Sequence, residues 1–244
     1  MWRRGLLVAS ALLLMAVTAR LGWWQLSRAD EKRAWQAAIA ERSHLPALDA
    51  SALPPALNAD EIAARLHRRA ALRGRWLPER TVFLDNRMMD HKSGFYVLTP
   101  LVPEGSDAAV LVVRGWVARD ARDRARLPAI ETSAAEVDVS GLVILRPPPT
   151  FALGAESTGP IRQNLDLVAY AQETGLSLAP VMVQQLGPAS DGLLRNWPEP
   201  GSGVETNYGY AVQWFGLCAL VLALLLWFQI VRPLRASRHD QARG

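Results

Sequence analysis

From Gly5 to Ala19 the chain carries no charged residue, and it carries none from Tyr210 to Ile230. Runs near ~20 residues cross a hydrocarbon core of ~30 Å at ~1.5 Å per residue, so each run predicts a membrane-spanning helix. Arg20 interrupts the first run before Leu21-Gly22-Trp23-Trp24-Gln25-Leu26 restores apolar character. An arginine there can snorkel to the interface, and adjacent tryptophans suit an aromatic belt. A cleaved signal peptide is the competing reading, because Arg3-Arg4, the leucine-rich run and Val17-Thr18-Ala19 match its charged, apolar and small-residue regions.

Between the two runs the pattern changes. Asp30 to Arg42 is alanine-rich, with acids in its opening turn and an arginine near its end, and reads as a helix continuing from the first span. Leu45 to Asp60, with Pro46, Pro54 and Pro55, reads as a linker into a short helix around Asp60 to Leu66. Thr81–Leu84, Phe95–Thr99, Ala109–Val113 and Val137–Leu145 are β-branched or aromatic runs bounded by turn residues, and predict strands. Asp85-Asn86 and Glu104–Asp107 read as turns, the second short enough for a hairpin. Leu165 to Glu173 predicts a helix capped by Gly175, and Pro180 to Leu186 a last strand. Gly187 to Gly203 is a linker. Nothing repeats at a fixed period.

The expected organisation is a membrane protein with two transmembrane α-helices flanking an α+β extracytoplasmic domain with a mainly antiparallel β-sheet. Its segments are residues 1–4, a cytoplasmic N-terminus; 5–26, the first transmembrane helix; 27–206, the extracytoplasmic or periplasmic domain; 207–231, the second transmembrane helix; and 232–244, a basic cytoplasmic tail. Orientation rests on the second span. Arg232, Arg235, Arg238 and Arg243 follow it, whereas Asp191, Glu199 and Glu205 outnumber Arg195 before it, which puts the tail in the cytoplasm. The flanks of the first span point the other way, since Arg20, Arg28, Lys32 and Arg33 outnumber Arg3 and Arg4. Two spans place both termini on one side, and the second span decides which.

A net charge of +4 changes this picture little, because arginine-only tails carry much of it and face anionic lipid rather than nucleic acid. The basic residues from Arg65 to Arg80 read as a solvated or headgroup-facing surface. Cys218 is the only cysteine and lies inside the second span, so the domain has no disulfide and no thiol. Among His44, His67, His91 and His239 no two share a metal-ligand spacing. Asp85 to His91, where acids and a histidine follow a strand, is the one candidate for acid–base work and reads more simply as a solvated turn. Met88-Met89 read as gap-filling core residues. No catalytic residue or metal site is assigned, and the expectation is a protein that is not an enzyme.

Four stretches carry a resemblance. Leu21-Gly22-Trp23-Trp24-Gln25-Leu26-Ser27-Arg28-Ala29-Asp30-Glu31-Lys32 is similar to a Leu-Gly-x-Trp-Gln-x-x-Arg-x-x-x-Lys signature. Gly94-Phe95-Tyr96-Val97-Leu98-Thr99-Pro100-Leu101, Val113-Arg114-Gly115-Trp116-Val117 and Tyr210-Ala211-Val212-Gln213-Trp214-Phe215 follow in the same order. Together they resemble the Surfeit locus protein 1 family, inner-membrane assembly factors for cytochrome c oxidase. The resemblance implies a non-catalytic role in inserting or retaining haem a in the largest oxidase subunit. Haem a would be a transient cofactor; the partners would be oxidase subunits, above all the haem-bearing one, with haem-synthesis enzymes, membrane lipid and no nucleic acid. The location would be the bacterial inner membrane, multi-pass, or the mitochondrial inner membrane in a eukaryote. A membrane-tethered envelope adaptor unrelated to haem is the alternative.

The same resemblance marks Trp24, Gln25, Arg28, Tyr210, Gln213 and Trp214 as a surface facing haem or oxidase. It marks Gly22, Lys32, Gly94, Tyr96, Thr99, Pro100, Arg114, Gly115 and Trp116 as motif or partner-binding residues. Many members carry a histidine, a proposed haem ligand, where this chain has Asn207. Tyr210, Gln213 and Trp214 share a helix face through i, i+3 and i+4 spacing. A glutamine facing lipid is poorly satisfied, so Gln213 is expected to face protein.

Overall fold

A computed structural model describes residues 2–120, 122–123, 126–150, 159–189, 191–198 and 203–232. It has two compact units. One comprises the chain up to Ala38 together with the segment from Glu199 onward; the other runs from Ile39 to Pro198.

The first unit is a helix pair. Helix α1 spans Trp2–Ser43 without a break, so the alanine-rich segment does continue the first apolar run. The chain's last helix starts at Val204 and runs in α form to Leu226, then as a π-helical turn over Trp227–Val231. Both are long and apolar enough to cross a membrane. The arginines expected in the tail after residue 232 lie outside the described residues.

The second unit holds the short helix α2 (Ala59–Arg65), the helix α3 (Leu167–Thr174) and seven strands. These are β1 (Arg69–Trp76), β2 (Val82–Met89), β3 (Lys92–Pro103), β4 (Ala109–Ala118), β5 (Val137–Ile144), β6 (Ile161–Arg162) and β7 (Leu178–Gln185). The helix from Val204 is therefore α4. Asn58 and Glu61 form a capping box on α2, Asp166 caps α3, and Gly175 ends α3 in the left-handed conformation.

Strand β1 was not expected within Arg65 to Arg80, although its arginines Arg69, Arg73 and Arg75 lie on the surface as expected. Its Arg-Ala-Ala-Leu-Arg-Gly-Arg-Trp sequence alternates exposed and buried positions, arginines out and Ala70, Leu72, Gly74 and Trp76 in. Asp85-Asn86 is not a turn but a bulge inside β2, where pairing with β3 shifts between Leu84 and Arg87 and Asn86 has φ 59°. The turn comes at Asp90 and His91, with φ 49° and 62°. Strand alternation also splits the methionine pair: Met89 is buried, whereas Met88 is 57% exposed and fills no gap.

The sheet order is β1-β5-β7-β4-β3-β2-β6, with β1 also paired to β3. Most pairings are antiparallel, but β4–β7 and β2–β6 are parallel. The β1–β3 contact, Gly74 opposite Pro103 through Trp76 opposite Leu101, closes β1, β5, β7, β4 and β3 into a ring. All five strands send residues to one interior: Ala70 and Leu72, Leu101, Val110 and Val112, Val139 and Val143, Ala179, Val181 and Val183. Leu48 and Leu53, from the proline-containing linker, pack against the same cluster, with Leu48 bridged to Ala70. They plug the end where β1 begins. Outside the ring, Tyr170 of α3 packs with Leu98, Leu111 and Met182, and its hydroxyl donates to the Arg80 carbonyl. Burial pushes the Tyr170 phenol up to about 12.

Candidate functional site

In the helix pair, the residues of α1 that lose exposure recur at Ala11, Met15, Thr18, Gly22, Gln25, Ala29 and Lys32. On α4 they recur at Val204, Asn207, Ala211, Trp214, Cys218, Val221 and Leu225. Both series alternate steps of three and four, the 3.5-residue period of a left-handed helix pair. Small residues let the backbones approach. Ala29 and Ala211 are buried, and a Cβ on Gly22 would stand 2.9 Å from the Phe215 ring.

Of the polar side chains in this seam, Thr18 bonds back to its own helix, and three others meet. Asn207 accepts at Oδ1 from Lys32 Nζ at 2.8 Å and donates through Nδ2 to Gln25 Oε1 at 2.6 Å. Both ends of the amide are thus engaged by α1. The Arg33 guanidinium stacks 4.7 Å over the Tyr208 ring, and Cys218 lies 3.6 Å from the Met15 carbonyl. The structure brings together Gly22, Gln25, Lys32 and Asn207 and leaves the other helix residues outside this group. Trp24 and Tyr210 are exposed, Gln213 is exposed on the side of α4 away from the seam, and Trp214 is half-buried in it. Arg28 pairs with Glu31 one turn on at 2.7 Å, exposed. Whatever Gln213 faces, it is not α1.

In the sheet unit the two strand motifs are hydrogen-bonded neighbours. Gly94 lies opposite Ala118, Phe95 opposite Val117, Tyr96 opposite Trp116 and Val97 opposite Gly115. A Cβ on Gly94 would fall 2.2 Å from the Val117 carbonyl and 2.5 Å from the Trp116 ring, so glycine is what lets that ring lie flat against β3. Trp116 donates its indole N–H to the Arg87 carbonyl at 2.8 Å, and Gly115 admits Leu193. Thr99 is buried and shares a hydrogen bond with Thr81 at 3.0 Å; the Pro100 carbonyl accepts from Leu77 N–H at 2.9 Å. These motif residues hold backbone to backbone.

The sequence reading missed Arg87 and Arg162, which are buried together with the motif residue Arg114. Arg87 reaches the carbonyls of Pro148 and Gln163 and sits 5.4 Å from the Tyr96 ring. Burial pulls Arg87 below its usual range and pushes Tyr96 above its own. Arg162 forks onto Glu173 at 2.7 Å. Arg114, 2% exposed, pairs with Asp191 at 2.9 Å, and Arg195 shares that carboxylate at 3.0 Å. The acid–base candidate is otherwise engaged: Asp85 pairs with Arg119 at 3.1 Å and Asp90 meets Asn196 at 3.3 Å. Among the described residues no group of three His, Cys, Asp or Glu side chains is placed to hold a metal ion.

A model of the SURF1 family matches residues 12–219. The SURF1-like protein of Rickettsia bellii (strain RML369-C) is 25% identical over 245 residues, spanning 96% of this chain and 94% of its own. The SURF1-like protein of Rickettsia felis is 32% identical over 108 residues, 43% of each chain. That of Rickettsia conorii is 32% identical over 107 residues, 43% of this chain and 40% of its own.

Proposed function

The chain belongs to the SURF1 family, and from that membership we propose that it is an inner-membrane assembly factor for cytochrome c oxidase, acting by binding and not by catalysis. Both apolar helices cross the membrane, both termini are cytoplasmic, and the sheet unit stands on the outer face. The observation that carries this reading is the span of the family match, which reaches into both apolar helices and takes in both strand motifs. The partner is the haem-bearing oxidase subunit. Tyr210 and Gln213 supply its docking surface on the outward side of α4, where a glutamine in hydrocarbon calls for a polar partner on another helix.

Haem a is the cargo of this process, and the helix pair does not fit it as a source of axial ligands. Asn207 has both amide ends taken by Lys32 and Gln25, and neither Trp2–Ser43 nor Val204–Val231 contains a histidine. An asparagine amide is also a poor ligand for haem iron. Histidine ligation of the iron therefore belongs to the partner, and this chain contributes docking and support.

The test is the reduced-minus-oxidised spectrum of membranes from a strain lacking the gene, against its parent and a complemented strain at matched oxidase-subunit abundance. A complementable fall in the haem a band is expected. An unchanged band with normal oxidase activity overturns the reading in favour of an envelope adaptor.

A further inference from the structure

The ring of β1, β5, β7, β4 and β3 is plugged at one end by Leu48 and Leu53. Its other end is open onto a cavity of about 550 Å³, whose walls include Trp76, Arg114, Thr132, Val139, Gln185 and Asp191. The alternation that fills the interior brings polar groups there. On β7, Ala179, Val181 and Val183 point into the apolar cluster, and Gln185 is the next residue on that face. On β4, Val110 and Val112 are followed by Arg114. Pairing passes from Leu98–Val113 to Val97–Gly115, so Arg114 is the extra residue of a bulge. Bulges commonly re-aim a side chain at a functional site. Here Arg114 lies 4.8 Å from the Trp76 ring centroid, at the mouth.

Two features of this mouth call for a ligand. First, Arg114 and Arg195 share the single carboxylate of Asp191, so this cluster carries one positive charge in excess, and of the two arginines it is Arg114 that lines the cavity. Glu131 and Asp138 also line the cavity but are exposed, so they do not offset it at low dielectric. Second, two buried polar atoms there have no hydrogen-bond partner, Arg114 Nε and Gln185 Oε1. The other donors of Arg114 are occupied by Thr132 Oγ1, the Glu131 carbonyl and Asp191. A half-turn of the Gln185 amide turns its buried end from acceptor to donor, so that this cavity-lining residue and the free Arg114 N–H both donate. Two donors and one excess positive charge suit a monoanion with two oxygens, and Trp76, Val137 and Val139 offer its body an apolar wall.

We propose that the open end of the ring is a binding site for a small carboxylate with an apolar body. Arg114 and Gln185 hold the carboxylate, and Trp76 and Val139 pack against the rest. This inference does not depend on the oxidase reading. Its test is titration of the full chain in phospholipid nanodiscs, following the nitrogen-15 signals of Arg114 Nε and Trp76 Nε1. One arm uses hexanoate, another indole-3-acetate, which separate an aliphatic from an aromatic body. Hexanol and inorganic phosphate supply body without charge and charge without body. A saturable shift with either carboxylate and with neither control is expected, weakened about tenfold in Gln185→Met, the loss of one hydrogen bond to a charged group. Gln185→Met leaves the arginine triad intact, so folding is preserved. No saturable shift with either carboxylate, an equal shift with hexanol or phosphate, or undiminished binding by Gln185→Met each overturns the proposal.

Discussion

The two units use the same residue types to opposite ends. In the helix pair, Arg28 stays on the surface with Glu31, and the groups that lock the seam are neutral amides and one lysine. In the sheet unit, Arg87, Arg114 and Arg162 are buried and anchor loops through carbonyls and carboxylates. The physical reason lies in what surrounds each. Helix faces that meet only apolar neighbours gain little from packing one such face on another, so a few hydrogen bonds fix the register. A sheet core in water gains from every apolar side chain it buries, and that surplus tolerates buried charge wherever charge ties down an irregular segment. The difference teaches that polar contacts set alignment in one unit and hold loops in the other.

The sharpest way to break this contrast is Asp191→Leu, which leaves Arg114 and Arg195 buried with no carboxylate. A loss of about 3–5 kcal/mol is expected for such a broken pair, measured by urea unfolding of the full chain in micelles; a loss below about 1 kcal/mol would show that water already reaches the arginines. Next comes Gly94→Ala. Its Cβ meets backbone and indole that cannot yield, so about 2–3 kcal/mol of overpacking is expected in the same assay. In the helix pair the effects are smaller. A double-mutant cycle between Gln25→Ala and Asn207→Ala should return a coupling of about 0.6 kcal/mol, typical of hydrogen bonds between membrane helices; zero coupling would remove the amide from the seam.

The smallest effect is one of pH. Burial, with the charge of Arg42, lowers the pKa of His67, so the fold prefers the neutral imidazole. Its contribution is complete above about 6.5, the unfolded value, and is lost as pH falls through the depressed folded value. The melting temperature should decline from pH 7 to 5, and less steeply in His67→Asn. Asparagine tolerates the φ of 65° at this position without titrating.

How much of this was legible in the sequence follows from where each signal resides. The helices and the aliphatic strands could be read because their signals are local. Strand β1 could not, because its inward residues alternate with arginines and one of them is a glycine. The seam spacing was present from Ala11 to Lys32 but hidden, since apolar side chains cover the helix all round and period counts little there. Buried arginines read as surface by default. Asn207 was legible as a departure from a motif, whereas its bonds to Lys32 and Gln25 join residues far apart in the chain. Ring closure is a matter of non-local register, which no window of sequence contains.

The position of β7 has a consequence for biogenesis. It is the last of the described strands to be made, yet it sits in the middle of the ring, between β5 and β4. Until Gln185 has left the ribosome, β4 and β5 each present an unpaired edge, and the apolar interior stays open to solvent and to other chains. Such long-range pairing is slow. The open edges thus last from the synthesis of β4 and β5 until that of β7, and the strand that ends this exposure is followed directly by the linker into α4.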